Sequence, residues 1–278
     1  AEMAALGVTC VEAKSGYGLD RETEKRILRA YRALDAAGPL RLVPTYLGAH
    51  VVPKGIARPD YLALVEAMIG EVAAEGLARF CDVFVDEGAF TVDEARRLFA
   101  AARTAGLLPK LHADQLTDVG ASALAAEVGA VSADHLEQIG PAGIAALARA
   151  GVVAVSLPIA ALYLRQAPLA ARALVDAGVP VAVATDFNPG TAPSAHLPLA
   201  LTLACVQQGL TPAEALKGAT QVAARALGVE DRRGSLVPGR SASFAVIDAP
   251  DVDHWLYHFR ANACRRTVVD GSVAWTAP

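Results

Sequence analysis

Short apolar runs alternate with longer amphipathic stretches along most of the 278 residues. The runs are VTCVEA (8–13), RLVPTYL (41–47), CDVFVD (81–86), PKLHA (109–113), AVSAD (130–134), VVAVSL (152–157) and PVAVATD (180–186). Most are apolar at consecutive positions, as in strands covered on both faces. Between them, Ile27, Leu28, Tyr31 and Leu34 recur at helical spacing within 20–36, as do Leu62, Val65, Met68, Ile69 and Val72 within 60–77. Thr91 with Glu94 predicts a capping box, and so does Thr211 with Glu214, where Pro212 opens a helix over 212–227. Strand–helix alternation repeated this often predicts a parallel sheet with helices outside it. Pro44 goes against the second strand, because a central strand loses a ladder donor at proline.

Seven strands are one short of an α/β barrel of the TIM type, (β/α)₈. The chain opens on AEMAALG, which reads as the tail of a helix running straight into a strand. The economical expectation is a barrel whose strands two to eight are present and whose first strand is missing from the N-terminus. A doubly wound open sheet is the alternative, but no GxGxxG loop follows any strand. From RRGSLVPGRSASFAVID onward the pattern changes to short alternating strands with glycine turns. The expected division is an incomplete barrel domain at 1–233 and a β segment of a composite domain at 234–278. A β segment of about 45 residues is marginal alone and needs partner strands.

Composition narrows the function. At 54% hydrophobic and 19% charged residues, the chain can build a sizeable core. A net charge of −4 with scattered Lys and Arg gives no patch for nucleic acid. The run GVVAVSLPIAALYL (151–164) is too short for a bilayer, and AEMAALGV lacks the features of a secretory signal. Cys10, Cys81, Cys205 and Cys264 form no CxxC pair, so free thiols in a reducing cytoplasm are expected rather than a thiolate metal site.

In a parallel α/β barrel the chemistry sits at the C-terminal ends of the strands. Those ends carry Lys14 and Tyr17, then His50, then Asp86 and Glu87, then His112, Asp114 and Gln115, then Asp134, His135 and Glu137. The seventh end, SLP, is nearly bare, and the eighth gives Asp186 followed by FNPGT. Imidazoles and a carboxylate converging on one mouth are natural ligands of Zn or Fe. Without a metal the same set is an acid–base constellation. Asp186 by itself reads equally as a turn cap. His254 and His258 lie beyond the barrel and read as structural or surface residues, while His196 either edges the site or caps the next helix.

EAKSGYGLD, TYLGAHVVP, LHADQ, SADHLE and ATDFNPGT, in that order, resemble the imidazolonepropionases, ring-opening hydrolases of histidine degradation within the amidohydrolase superfamily. The resemblance implies hydrolysis of the cyclic amide of 4-imidazolone-5-propanoate to N-formimino-L-glutamate with one Zn or Fe ion. It implies that His112 and Asp186 are metal ligands and that His135 is an acid–base or transition-state group. Asp186 would also take a proton from the attacking water. Tyr17, His50 and Gln115 are implied to contact the substrate, and Asn188, Gly190 and Thr191 to hold the product. The fourth strand lacks the bridging Lys of two-metal relatives, which fits a single metal. A small-molecule substrate and a homodimer are the implied partners. The family's HxH pair on the first strand is absent, as are the Arg and second Tyr that follow it. The expectation is an N-terminally truncated chain, inactive by itself. Two alternatives are a non-catalytic barrel fragment or pseudoenzyme, and a different amidohydrolase acting on a cyclic ureide or nucleobase.

Overall fold

A computed structural model describes residues 1–278. The chain forms two compact units, one of Glu12–Gly38 and Leu42–Val152, the other of Ala1–Val11, Pro39–Arg41 and Val153–Pro278.

The first unit carries β1 (Cys10–Lys14, from Glu12 on), β2 (Arg41–Ala49, from Leu42 on), β3 (Phe80–Val85), β4 (Leu108–Ala113) and β5 (Ser132–His135). These strands are neighbours in sequence order, and β2 through β5 pair in parallel. The helix predicted over 20–36 is Arg21–Ala37, capped by Asp20, whose side chain accepts from Thr23 N at 2.8 Å. That predicted over 60–77 is Arg58–Ala74, and it buries Val65, Met68, Ile69 and Val72. Thr91 and Glu94 form the reciprocal capping box. Pro44 is accommodated because the ladder from β2 to β3 begins one residue later, at Thr45 opposite Phe80. Its carbonyl still accepts from Arg79 N at 3.0 Å.

Register decides what shares a face. Asp82 lies opposite Lys110 and Phe84 opposite His112, while Lys110 lies opposite Ser132 and His112 opposite Asp134. Side chains alternate along a strand. One face of β3–β5 therefore bears Asp82, Phe84, Lys110, His112, Ser132 and Asp134 together.

The second unit holds the parallel pair β6 (Val153–Ser156) and β7 (Val181–Val183). PVAVATD predicts a longer last strand. The ladder stops at Val183, one further bond runs from Ala184 N to Ser156 O at 3.0 Å, and Asp186 sits in the loop beyond. The helix predicted over 212–227 is also broken. It runs as Pro212–Lys217, a π-helical turn Gly218–Val222 and Ala223–Ala226. Gly218 lies so close to β7 that a Cβ would meet Val181 O at 3.0 Å, which explains glycine there.

Beyond it, β8 (Phe244–Ile247), β9 (Cys264–Val269) and β10 (Ser272–Thr276) form an antiparallel sheet in the order β10-β9-β8. Asp270 and Gly271, at φ +48° and +82°, make the two-residue turn joining β9 to β10. The short helix Glu2–Ala5 docks on this sheet. Thr267 Oγ1 donates to Ala4 O at 2.6 Å and Asn262 Nδ2 to Ala5 O at 2.7 Å. No helix is long and apolar enough to cross a membrane, and all four cysteines are free thiols.

The Asp270 turn gives a first testable outcome. Arg41 Nε donates to its carboxylate at 2.6 Å, and Arg233 donates to both oxygens at 2.8 and 2.9 Å. Burial pushes the carboxyl up, but hydrogen bonds from Arg41 and Arg233 outweigh this and bring its pKa to about 2. Because the folded value is depressed, the stabilisation is full above the ordinary Asp range and is lost as pH falls through about 2. Discounted for solvent screening it amounts to about 1 kcal/mol. Urea unfolding at pH 7 should show Asp270→Asn less stable by that amount, with the gap closing towards pH 2. A gap independent of pH would contradict this account.

Candidate metal and substrate site

The KSGYG loop leaves β1 in a conformation that only its glycines allow. Gly16 has φ +110°, and a Cβ there would lie 2.8 Å from Leu47 O. A Cβ on Gly18 would lie 2.7 Å from Glu24 N. The buried Glu24 carboxylate gathers the loop, accepting from Gly16 N at 2.9 Å, Gly18 N at 2.6 Å and Leu19 N at 3.2 Å. Tyr17 is left 59% exposed, with its ring edge-on to His50 at 5.3 Å. His50 follows β2 directly, and its Nδ1 donates to Gly16 O at 3.0 Å. Burial, reinforced by the nearby His112, lowers its pKa and keeps the ring neutral. Nε2 then remains as an acceptor.

Rings continue inward from there. His50 and His112 are 6.5 Å apart between centroids, and His112 and His135 are 5.4 Å apart. Phe84 packs edge-on against His112 at 5.9 Å.

Around His112 lies a layer of buried charge. Asp82 Oδ1 accepts from His112 Nδ1 at 3.0 Å and from His112 N at 3.1 Å. Lys14 Nζ donates to Asp82 Oδ2 and, at 2.7 Å, to Asp134 Oδ2, and lies 3.4 Å from Glu12. The fully buried Lys110 donates to Glu12 Oε2 at 2.6 Å. Burial pushes the Asp82 carboxyl up, but the His112 and Lys14 charges outweigh it and hold it well below the usual range. Lys14 is pulled down by burial and, more strongly, raised by Asp134, Asp82 and Glu12. Asp82, His112 and Asp134 offer ligand atoms within 4.8 Å of one another. The Lys14 ammonium bridges both carboxylates of that trio.

His135 ends β5 with φ +76°, and Leu136 follows at +69°. Of the seven non-glycine residues with positive φ, Asp114, His135, Leu136 and Asp186 all stand just beyond or at strand ends. Such strain persists where the surroundings over-determine it, often at functional sites. His135 Nδ1 is buried without a hydrogen-bond partner. Burial, then His112, pulls its pKa down to about 3.

Two strand-end carboxylates serve the backbone. Asp86 accepts from Gln115 N, Leu116 N and Thr117 N at 2.9, 2.7 and 3.1 Å, and so places the buried Gln115. Asp114 accepts from Val119 N, Ala121 N and Ser122 N at 3.2, 2.9 and 2.9 Å.

In the second unit, Asp186 has φ +54° and Asn188 organises the turn after it. Asn188 Nδ2 donates to Asp186 O at 2.7 Å and to Asp186 Oδ2 at 3.1 Å. Asn188 Oδ1 accepts from Gly190 N at 2.9 Å and Thr191 N at 2.7 Å. His196 caps the helix Leu197–Gln208, its Nδ1 accepting from Leu199 N at 3.0 Å. His254 and His258 are exposed. Each uses Nδ1 locally, on Asp251 at 2.8 Å and on His254 O at 2.9 Å.

The donor set fits a metal ion. With Nδ1 of His112 committed to Asp82, its Nε2 lone pair is the one left to offer. The His135 ring stands beside it, its Nδ1 without a hydrogen bond and 3.6 Å from the buried Glu137 carboxylate. Reasoning from strand ends overlooked Asp82, Lys110 and Glu24. The available signal was charged residues at alternate positions inside apolar strands, Asp82 within CDVFVD and Lys110 two residues before His112. Such residues are almost never buried unpaired.

Residues 1–274 match the amidohydrolase family, and the chain belongs to it. The chain is 51% identical over 272 residues to the imidazolonepropionase of Myxococcus xanthus, covering 96% of this chain and 64% of that protein. It is 46% identical over 270 residues to the imidazolonepropionase of Geobacillus kaustophilus, with the same coverage. The chain thus spans about 64% of the length of these curated relatives. Its fold resembles that of an adenosine deaminase from Xanthomonas campestris with bound zinc, at TM-score 0.73 and 18% identity, covering 95% of this chain and 65% of that one.

Proposed function

We propose that the chain carries the substrate face and part of the metal site of an imidazolonepropionase. The protein would hydrolyse 4-imidazolone-5-propanoate to N-formimino-L-glutamate in histidine degradation. The observation that carries this reading is the file of rings Tyr17, His50, His112 and His135 along motifs that also resemble that family, in a chain 51% identical to one such protein. We also propose that the parallel strands are strands two to eight of a (β/α)₈ barrel over 1–233. The segment 234–278 would belong to a composite β domain. The greater length of the relatives supports this. Free thiols are in keeping with a cytoplasmic setting.

A bound Zn or Fe ion would lower the pKa of a water and polarise a carbonyl, the help that a poorly electrophilic cyclic amide needs. His112 would hold it through Nε2, and Asp186 through its carboxylate. Asp186 would take the proton of the attacking water and pass it to the departing ring nitrogen. His135, neutral because its pKa is about 3, would donate a hydrogen bond to the carbonyl oxygen as the carbon becomes tetrahedral. Tyr17, His50 and Gln115 would orient the flat ring. Asn188, Gly190 and Thr191 would hold the opened product, Asn188 also steadying Asp186.

The test is direct. The natural protein containing residues 1–278 should consume 4-imidazolone-5-propanoate and release N-formimino-L-glutamate, followed by absorbance and mass spectrometry. Turnover of a cyclic ureide or of guanine, with none of the imidazolone, would overturn the assignment.

A further inference from the structure

The metal reading leaves unexplained why a carboxylate and an ammonium are buried behind His112. An imidazole can bind a metal through Nε2 only if its proton is on Nδ1, and the partner of Nδ1 decides this. Asp82 Oδ1 is that partner at 3.0 Å, and the same oxygen accepts the His112 main-chain N–H, so ring and backbone are located by one atom. The other oxygen is taken by the Lys14 ammonium, which also donates to Asp134 Oδ2 at 2.7 Å. Asp134 in turn accepts from Ser132 Oγ at 3.1 Å.

We propose that Asp82, clamped by Lys14, is the positioning residue that keeps His112 in its Nδ1-protonated tautomer and aims Nε2 at the metal. Lys14 is then the resident cation of the carboxylate cluster, standing where a second metal ion would otherwise be drawn. The proposal rests on His112 as a metal ligand, but the tautomer is a property of the metal-free protein. It can therefore fail separately from that reading.

Asp82→Asn separates the two roles of the carboxylate. The amide offers one acceptor atom and one donor group, and Lys14 can only donate. The amide oxygen turns to the charged donor, Lys14, at the cost of the bond from the His112 main-chain N–H, and its NH₂ faces His112 Nδ1. The ring must accept there and carry its proton on Nε2, which closes the metal position. Adding Lys14→Met frees the amide to turn its oxygen back to His112.

The measurement is ¹⁵N NMR of histidine-labelled, metal-free protein, above the pH at which His112 loses its second proton. It is paired with Zn²⁺ affinity from competition with a chromophoric chelator. Wild type should have the proton on Nδ1, and Asp82→Asn should have it on Nε2 with Zn²⁺ affinity about 10–100-fold lower. The double variant Asp82→Asn/Lys14→Met should restore the Nδ1 proton and most of the affinity. A purely structural role predicts the opposite, a double variant worse than either change alone. An Nε2 proton on His112 in wild type would overturn the proposal whether or not the variants fold. Unchanged tautomer and affinity in folded Asp82→Asn would do the same.

Discussion

Replacing His112 by Ala should strip the protein of most of its metal while leaving it folded. The imidazole has one nitrogen left over after the other is engaged by the buried Asp82 carboxylate. Removing it takes a ligand from a catalytic site, and such sites typically keep only three protein ligands. Metal content should fall to less than about a tenth of the wild-type level, and the proposed imidazolone turnover should fall with it, since no activated water remains. The fold should survive, because Asp82 keeps Lys14 as its counter-ion, so the variant does not strand a buried charge. The checks are metal analysis after gel filtration, steady-state rates and a thermal melt. Stoichiometric metal in a folded His112→Ala protein would show that the ion is held elsewhere.

The α/β alternation was legible because both periods are strong. Seven apolar runs and the residues between them put every parallel strand within about two residues of its observed place, apart from the last. That last strand was overestimated because the run was carried through to Asp186, whereas the ladder stops at Val183, and Ala184, Thr185 and Asp186 are only half-buried. The helix over 212–227 was read as continuous because Gly218 looks harmless in a sequence. Its closeness to Val181 O is a tertiary fact. The site divides in the same way. Tyr17, His50, His112 and His135 were visible as polar residues following apolar strands. Asp82 and Lys110 were hidden inside such strands, and only the register of β3 against β4 explains them. Glu24 was hidden differently, as one acid among several on an amphipathic helix whose role depends on where the KSGYG loop folds back.

Replacing His135 by Leu, which has no N–H to donate, should do the reverse of His112→Ala, retaining the metal and losing the reaction. Burial and the adjacent His112 bring the His135 pKa to about 3, so at neutral pH it is a neutral ring. It can stabilise a developing oxyanion only as an N–H donor, and removing such a donor costs about 10²–10³ in turnover. Its protonation therefore cannot produce a limb in the rate profile between about pH 5 and 8, where an ordinary histidine titrates. Stability carries the complementary signature. The folded pKa lies below the unfolded value of 6.5, so the unfolded chain binds the extra proton first. His135 thus costs the native state stability progressively as pH falls from 6.5 towards 3, and nothing above 6.5. His135→Leu should flatten that part of the stability curve, although it also forfeits some packing at all pH values. Denaturant melts from pH 7 to pH 4, read beside metal content and turnover, test the three effects together. If His135→Leu loses as much metal as His112→Ala, His135 is itself a ligand and the assignment of roles within the ring file is wrong.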